Sequence, residues 1–314
     1  MRFLSFLQQG VCALLLTCLA SSIWAAAEPL DEEPRTAIVS AFAPELELLL
    51  KKTKERHDYN VNGMRFTTGV LEGAPIVLFL SGVSMTNAAM NTQRALDRFN
   101  VSRIVFSGIA GDTDPRHNIG DVVVPERWAS YSEGIYAREI APGEFKPSSK
   151  TRRSGLVNFG MMYPRNVDMV SNRSSEKEQK TWFDVDGELL ALARTLPTNR
   201  LESCDQKRVC LTHPPRLSVG GSGVSGPIFM DNAAYRDYIF NVFGAAVVDM
   251  ESSAVAQVAY ANEVPFIAFR SLSDLAGGGE GDNEMHTFIK LAASNSANTV
   301  RAFMRRVVDE LDDD

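Results

Sequence analysis

Residues 244–274 have the sequence GAAVVDMESSAVAQVAYANEVPFIAFRSLSD, in which two apolar runs flank a helical stretch. The runs Gly244–Val248 and Val264–Arg270 are nearly continuous in Ala, Val, Ile and Phe, as expected for strands covered on both faces. Between them, Glu251–Asn262 has the composition and length of a helix. A strand, a helix and a second strand in this order predict one unit of a mainly parallel sheet.

The same alternation of strands and helices extends along most of the chain. Four further apolar runs are predicted to be strands: Thr36–Phe42, Ala74–Ser81, Arg103–Ser107 and Asp121–Pro125. Three further segments are predicted to be helices: Ser84–Phe99, Asp231–Phe243 and Asn283–Leu311. We therefore expect an α/β fold of a single domain, a three-layer sandwich with helices on both faces of a mixed, mostly parallel, twisted central sheet.

Two segments do not follow this alternation. Residues 126–218 mix scattered aromatic side chains with a stretch rich in Ser, Lys and Arg, and we expect an enlarged middle region of loops and short helices over the sheet. Residues 28–35 are polar and flanked by prolines, which indicates a flexible lead-in. The folded domain is accordingly predicted to span residues 36–311.

The composition is that of an ordinary globular protein. Of 314 residues, 45% are hydrophobic and 23% are charged, which excludes collagen-like, disordered and multi-span membrane proteins. The net charge of −7 and the lack of a basic stripe argue against nucleic acid as a partner.

The N-terminus has the three parts of a signal peptide over residues 1–27. Arg2 provides a positive charge, Val11–Ala20 is a short apolar segment, and Ala25–Ala27 is a small-residue cleavage site. The apolar segment is shorter than the roughly 20 residues that a membrane-spanning helix needs. We expect export to the periplasm or the medium, with no membrane association after cleavage.

Export determines how the cysteines are interpreted. Cys12 and Cys18 lie in the predicted signal peptide, so the mature chain keeps Cys204 and Cys210. In an oxidising compartment this pair favours a small disulfide, and two free thiols without a role are the alternative. The four histidines are scattered, without a metal-binding spacing, so we expect no metal ion and no cofactor.

Polar residues at the ends of the predicted strands are the candidates for chemistry, because ligands of open α/β sheets bind at the carboxyl ends of strands. Glu45 follows the first strand and begins a helix, where a carboxylate can also serve only to stabilise the helix. The stretch Phe106–Gly111 (FSGIAG) is Gly-rich, and at Gly108, Ala110 and Gly111 a ligand can approach the backbone closely. Tight-turn packing explains these glycines equally well.

Acidic residues also end both strands of residues 244–274. Asp249 and Glu251 flank Met250, and a pair of carboxylates that accepts hydrogen bonds from vicinal hydroxyls is suited to hold a ribose. The second strand delivers Arg270 and Asp274 together. For any single residue, packing or helix capping is an adequate alternative explanation, but four acids in this order favour a catalytic site.

These motifs resemble those of a known family. The stretch DMESSAVAQVA (249–259), followed by VPFIAFRSLSD (264–274), is similar to the nucleosidase branch of the nucleoside phosphorylase superfamily, and to methylthioadenosine/S-adenosylhomocysteine nucleosidases in particular. The resemblance covers about residues 36–125 and 218–305. The stretch GVSGPIFMDN (223–232) also resembles the plant bark and vegetative storage proteins of the same superfamily.

The resemblance implies an enzyme that cleaves the N-glycosidic bond of a purine nucleoside, a small molecule. It implies that Glu45 activates the attacking water, that Arg270 helps to hold this carboxylate and the water, and that Asp274 protonates N7 of the purine. These roles fit the chemistry, because the departing purine leaves an oxocarbenium-like sugar, and a positioned acid contributes roughly 10²–10⁴-fold to the rate.

The same resemblance implies a set of binding residues and an assembly. Glu251 would bind the 2′- and 3′-hydroxyls of the ribose with Met250 beneath the sugar, and Ser273 would assist the acid. Phe229 would stack on the base, and Met285 would line the pocket for the 5′ substituent. Relatives are dimers to hexamers, so a homo-oligomer, a dimer or a trimer, is also expected.

The nucleophile and the extent of turnover stay open at this stage. Phosphorylases of the superfamily hold phosphate with arginines on Gly-rich loops, whereas the corresponding loops here (81–86 and 107–111) contain no arginine, which favours water. Ile109 stands where the nucleosidases carry a serine that helps to position the water. The hypotheses are therefore a nucleosidase, a phosphorylase and a nucleoside-binding storage protein with little turnover.

Overall fold

The computed structural model describes residues 29–149, 154–197 and 201–311 of the chain. The signal peptide predicted over residues 1–27 lies outside these ranges. The helices of the described part are α1 (Ala43–Lys52), α2 (Met85–Arg98), α3 (Gly187–Arg194), α4 (Ala233–Phe243), α5 (Ser252–Asn262) and α6 (Met285–Leu311).

The strands of the described part fall into one large sheet and three two-stranded sheets. In chain order they are β1 (Asp31–Ser40), β2 (Lys54–Val61), β3 (Met64–Leu71), β4 (Ala74–Leu80), β5 (Phe99–Asp112), β6 (Val122–Val124), β7 (Arg127–Ser130), β8 (Gly134–Tyr136), β9 (Arg138–Ala141), β10 (Glu144–Lys146), β11 (Met162–Pro164), β12 (Val167–Ser171), β13 (Ser174–Lys180), β14 (Phe183–Asp184), β15 (Leu217–Val219), β16 (Ser222–Ser225), β17 (Ala245–Asp249) and β18 (Phe266–Asp274). The sheet has the order β14-β7-β16-β17-β5-β1-β4-β3-β2; β18 pairs with β5 and β6, and β15 with β6.

The sheet is mixed, with a parallel centre. β1 pairs in parallel with β4 and β5, and β18 pairs in parallel with β5, whereas β17 is antiparallel to β5. At the end of β5, Gly111 pairs with Val248 of β17 and with Asp274 of β18. This register places the ends of β5, β17 and β18 next to one another, and the candidate site lies there.

The core consists of the apolar runs that predict the central strands. Ile38, Val105 and Ile267 are fully buried, because helices cover both faces of the sheet. α6 packs on β5 and β18 and against α1, and α2 packs against α5 on the opposite face. Burying one such side chain contributes about 1.5–3 kcal/mol to the free energy of folding. The predicted three-layer α/β fold is confirmed.

The chain enters the sheet earlier than expected. β1 begins at Asp31, so the flexible lead-in predicted over residues 28–35 is wrong from that residue onward. Asp31 pairs with Phe99 and Arg35 with Val101. The guanidinium of Arg35 is buried and lies 2.7 Å from the carboxylate of Asp31. Because these charges are paired within the strand, a polar sequence can pair with the sheet here.

The regular structure of the middle region 126–218 is mainly short strands between loops, whereas loops and short helices were expected. Its described residues form β7 to β15 and the helix α3, and β7, β14 and β15 join the central sheet. Strand β13 (SSEKEQK) is almost entirely exposed and has no apolar face. Hydrophobic periodicity therefore could not identify it.

The strands β2 and β3 were not predicted, although the sequence carries a signal for them. The turns that join β2 to β3 and β3 to β4 are Asn62-Gly63 and Glu72-Gly73. All four residues have positive φ, between 50° and 99°. Two-residue hairpin turns with positive φ favour Asn-Gly and related pairs because glycine adopts this conformation without strain.

Cys204 and Cys210 form the predicted disulfide. Within the described ranges, no helix combines the length and the apolar character that crossing a membrane requires. In the same ranges, no three or more His, Cys, Asp or Glu side chains are grouped so that they could hold a metal ion.

Candidate active site

A cavity of about 250 Å³ opens where β1, β5, β17 and β18 end. Its inner wall, the polar floor, consists of Glu45, Asp249, Glu251 and Asp274, which line the cavity, and Arg270, which contacts Asp249. Each of these five residues is at most 6% exposed to solvent. Charged groups are rarely buried to this extent without a function or close partners.

Glu45 lies in the first turn of α1, where its carboxylate accepts three backbone N–H bonds. The donors are Ala41 at 2.6 Å, Phe42 at 3.3 Å and Ile109 at 2.8 Å. Burial raises the pKa of Glu45, while the charge of Arg270 and these hydrogen bonds oppose the rise. Stabilisation of α1 explains two of the bonds; the third ties Glu45 to the end of β5, beside the cavity.

Arg270 contacts Asp249 and Ser252 and makes no ion pair with Glu45. Its Nε lies 2.8 Å from Asp249 Oδ2, and Nε and Nη2 donate to Ser252 Oγ at 2.9 and 2.7 Å. The direct hold on Glu45 that the family resemblance implies is therefore absent from the described structure. Arg270 acts on Glu45 through its charge, which lowers the pKa of that carboxyl.

Gly108 is needed for packing, which corrects the expectation that its backbone receives a ligand. Its N–H donates to Ser296 Oγ at 3.0 Å. A Cβ at this position would lie 1.8 Å from Arg270 Nη1 and 2.7 Å from Glu45 Oε1. Only glycine leaves room for both charged groups. Gly111 does line the cavity, and a Cβ there would lie 3.1 Å from an oxygen of Asp274.

Glu251 precedes α5 and is held by one backbone donor. Its Oε1 accepts the N–H of Ser84 at 2.7 Å. Burial and the negative charge of Asp249 raise the pKa of Glu251 to about 8. Ser84 has a φ of 83°, which is rare for a residue other than glycine and typical of functional sites where the surroundings hold strained backbone in place.

Asp249 does not form the carboxylate pair for ribose that its spacing from Glu251 suggested. Its Oδ1 accepts the hydroxyl of Ser225 at 2.5 Å and the N–H groups of Glu251 and Ser252 at 3.1 Å each. Its Oδ2 faces Arg270. Oδ1 thus holds the turn into α5 while Oδ2 faces the charge of Arg270, and the carboxylate left for a ligand in this pair is that of Glu251.

Asp274 ends β18 and is held by three donors. Its Oδ1 accepts the N–H of Ala276 at 2.9 Å and the amide of Asn283 at 3.3 Å. Its Oδ2 accepts the hydroxyl of Ser273 at 2.8 Å, the contact that the predicted assisting role requires. Burial raises the pKa of Asp274, because a charged carboxylate loses hydration there. Ala110, also predicted in the site, lines the cavity and accepts from the same hydroxyl at 3.3 Å.

The outer wall of the cavity, the apolar mouth, consists of Val83, Ile228, Phe229 and Met285. Val83, Ile228 and Phe229 are 46%, 59% and 49% exposed, which is unusual for large apolar side chains. Met250 lines the cavity beside the polar floor. Phe229, Met250 and Met285 therefore lie at the cavity, as the resemblance implied.

Several site residues escaped the sequence analysis. Ser84 contributes a backbone N–H, so its side chain gives no signal. Asn283 follows a Gly-rich stretch and reaches Asp274 only through the path of the loop. Ser252 lies inside the DMESS motif but contacts Arg270 from the next strand. Ile109, by contrast, was singled out from the sequence; it lines the cavity with an apolar side chain, and its N–H donates to Glu45.

Comparison with known families and proteins agrees with this geometry. The model of the family described as the phosphorylase superfamily matches residues 35–308. The 5′-methylthioadenosine/S-adenosylhomocysteine nucleosidase of Bacillus cereus (strain G9842) is 29% identical over 281 residues, which cover 88% of this chain and 99% of that protein.

Solved structures share the fold at lower identity. The 5′-methylthioadenosine/S-adenosylhomocysteine nucleosidase of S. pneumoniae, solved with the transition-state inhibitor MT-ImmA, is 21% identical with a TM-score of 0.62, covering 87% of this chain and 99% of that one. The futalosine hydrolase of Helicobacter pylori strain 26695 is 20% identical with a TM-score of 0.61, covering 88% and 98%. At this identity the likeness concerns the fold.

Proposed function

The chain belongs to the phosphorylase superfamily, and we propose that it hydrolyses the N-glycosidic bond of a purine nucleoside of the adenosine or methylthioadenosine type. The observation that carries the proposal is the convergence of three buried carboxyl groups, those of Glu45, Glu251 and Asp274, on one cavity. The similarity to a nucleosidase along 88% of the chain supports the same reaction.

Asp274 is the proposed general acid. Its raised pKa keeps a proton on the carboxyl closer to neutrality, where a proton can be given to N7 of the departing purine. Because Oδ1 accepts two N–H donors, the proton belongs on Oδ2, next to the hydroxyl of Ser273. Protonating the base removes the negative charge that it would otherwise carry away.

Glu251 is the proposed ligand of the ribose. Its Oε1 is fixed by Ser84, so the carboxyl group has a defined orientation before the nucleoside binds. Hydroxyls at the 2′ and 3′ positions can donate to it, and Met250 offers an apolar surface beside the sugar. These hydrogen bonds favour the charged form of the carboxyl, and a negative charge close to the sugar stabilises the positive charge that develops there.

Glu45 is the proposed general base for the water. Three backbone N–H groups fix its carboxylate, while burial raises its pKa. Arg270 contributes a buried positive charge, and its Nη1 and Glu45 Oε1 both lie next to the Cα of Gly108. Two carboxyl groups of raised pKa with different surroundings allow one to act as base and the other as acid.

The use of the backbone donors supports water over phosphate as the nucleophile. Three N–H groups near the cavity donate to Glu45 and a fourth donates to Glu251. A phosphate ion would need free N–H donors of this kind or a guanidinium that binds it through two N–H groups. The carboxylates that already accept from these donors would repel it. The guanidinium of Arg270, fully buried, is bound to Asp249 and Ser252.

The proposal is tested by following base release by chromatography. The purified mature chain is incubated with adenosine, inosine, guanosine and methylthioadenosine in phosphate-free buffer, with the variant Glu45→Gln as a control. We expect release from the adenine nucleosides that the control lacks. Tight nucleoside binding without release from any of the four would instead support the storage-type function.

We also propose that the protein is exported and forms a homo-oligomer. The N-terminal sequence and the Cys204–Cys210 disulfide support export. The exposed apolar mouth supports assembly, because such surfaces often mark interfaces. Cell fractionation should find the chain outside the cytoplasm unless residues 1–27 are deleted, and light scattering should give a multiple of the monomer mass; a cytoplasmic monomer would contradict both.

A further inference from the structure

The guanidinium of Arg270 is completely buried, yet one of its nitrogens has no hydrogen-bond partner. Nε and Nη2 contact Ser252 Oγ, Nε also faces Asp249 Oδ2, and the Phe106 ring lies 3.9 Å from the guanidinium carbon. Nη1 has no acceptor in the described structure. A buried donor that is charged and unpartnered costs more than a neutral one, so the retention of this guanidinium nitrogen indicates a role.

The unpartnered nitrogen lies beside the proposed general base. The position of a Cβ on Gly108 would be 1.8 Å from Nη1 and 2.7 Å from Glu45 Oε1, so both atoms lie against the same small area of backbone. Neither Asp249 nor Ser252 reaches this side of the guanidinium. The direction of Nη1 is therefore fixed by how the opposite edge of Arg270 is held.

We propose that Ser252 is a positioning residue, whose hydroxyl holds the far edge of the Arg270 guanidinium so that Nη1 stays directed at the reaction centre beside Glu45. This inference rests on the proposed function, because the water that Glu45 activates is what Nη1 would contact. Ser252 does not touch the substrate; it acts through Arg270.

The hydroxyl of Ser252 is itself held in place by the fold. Ser252 is the first residue of α5, it is fully buried, and its N–H donates to Asp249 Oδ1 at 3.1 Å. One oxygen thus accepts from both Nε and Nη2, while Asp249 Oδ2 receives Nε alone at an ion-pair distance. Without the hydroxyl, the guanidinium would turn to give both Nε and Nη2 to Asp249, the bidentate geometry that arginine and carboxylate favour.

Such a turn would carry Nη1 away from Glu45 and change how this carboxyl titrates. The charged groups that act on Glu45 are Arg270 on β18 and Glu251, which precedes α5, while Asp249 at the end of β17 faces Arg270. The charge of Arg270 lowers the pKa of Glu45 against the effect of burial. If the guanidinium moves away, the pKa of Glu45 rises further, and the acid limb of the pH profile moves to higher pH.

The chain provides a matched control one residue away. Ser253 is also buried and in the first turn of α5, but its hydroxyl has no hydrogen-bond partner, neither Arg270 nor any other described residue. Ser252→Ala and Ser253→Ala therefore remove the same group from adjacent positions. Ser252→Cys serves as a second variant, because it keeps a similar side-chain shape but offers only a weak acceptor, so it can replace Ser252→Ala if that variant does not fold.

The experiment measures kcat, KM and the pH profile of base release for each variant. We expect Ser252→Ala and Ser252→Cys to lower kcat by roughly tenfold to 100-fold with KM changed less than about threefold, as for a small misplacement of a reacting group. In both Ser252 variants, the acid limb of the pH profile of base release should move to higher pH. Ser253→Ala should have the same kcat and the same acid limb of the pH profile as the natural protein. Equal losses in the Ser252 and Ser253 variants, or an unmoved acid limb, would overturn the proposal.

A measurement that does not depend on turnover separates this proposal from the proposed function. The Glu45 carboxyl carbon is titrated by ¹³C NMR, with Glu45→Gln to identify its signal. The pKa should be higher in Ser252→Ala than in Ser253→Ala. If the natural protein released no base, the proposed function would fail, while the titration would still decide the role of Ser252: a pKa unchanged between the variants would reject it.

Discussion

The two walls of the cavity differ in how they are held. The polar floor lies at the ends of strands and the starts of helices, where each carboxylate accepts one to three hydrogen bonds from fixed donors. The apolar mouth lies on connecting segments and helix starts, and three of its four side chains are about half exposed. The difference indicates that the groups for chemistry are preorganised, whereas the groups for substrate selection have room to adapt.

Removing the acid of the polar floor should give the largest effect. Asp274→Asn keeps the size of the side chain but cannot donate a carboxyl proton to the purine. We expect kcat to fall by about 10³-fold with KM changed only a few-fold. Steady-state kinetics with Asp282→Asn, an exposed carboxylate of the same loop, provides the control. A loss below tenfold would remove Asp274 from the acid role.

Packing within the polar floor should give the second largest effect. Gly108→Ala places a methyl group against Arg270 Nη1, so the charged groups must shift. We expect kcat to fall by roughly 100-fold, because misplacement of about 1 Å has costs of this size. The free energy of unfolding should also fall, by about 1–3 kcal/mol, in urea denaturation. Gly187→Ala is the matched control, since a Cβ there meets no atom within 4 Å.

At the apolar mouth, substitution should change affinity more than rate. Phe229→Ala removes the ring proposed to stack on the base, an interaction of about 1–3 kcal/mol in other base-binding proteins. We expect KM to rise about tenfold with kcat changed less than threefold. Phe229→Tyr keeps the ring and should keep KM. A large loss of kcat in Phe229→Ala would place this residue with the polar floor and break the comparison.

The smallest effect is a proton exchange at Glu251. Burial and the charge of Asp249 raise its pKa to about 8, so at pH 7 the carboxyl is mostly protonated before a nucleoside binds. Ribose hydroxyls that donate to it favour the charged form and lower its pKa, so binding should release less than one proton. Calorimetry of nucleoside binding to Asp274→Asn at pH 7, in buffers of different ionisation enthalpy, measures this release. The double variant that combines Asp274→Asn with Glu251→Gln should release no proton on binding. Proton uptake by Asp274→Asn would contradict the role assigned to Glu251.

The sequence predicted the strands of the sheet centre and most of the polar floor for one physical reason. Continuous apolar runs are buried on both faces, and the polar residues that follow them meet at one edge of the sheet. Asp274 and Glu251 could therefore be placed together before any coordinates. Glu45 follows another strand and was a candidate by the same rule. The family resemblance added the role of Glu45, and it added Phe229 and Met285, which lie far apart in the chain.

The contacts among the side chains could not be predicted in this way. Whether Arg270 turns to Glu45 or to Asp249 depends on side-chain rotamers and on the hydroxyl of Ser252, which periodicity does not report. The role of Gly108 depends on a neighbour from another strand. Strand β13 of the middle region is polar on both faces, so it produces no apolar pattern.

The most direct test of the central claim, that the polar floor directs water to the sugar, is the identity of the sugar product. The purified mature chain is incubated with a purine nucleoside that it cleaves, in excess phosphate, and free sugar is separated from sugar 1-phosphate. We predict equal amounts of free base and free sugar, at a rate that phosphate does not change. Sugar 1-phosphate as the product, formed at a rate that depends on phosphate, would contradict the account.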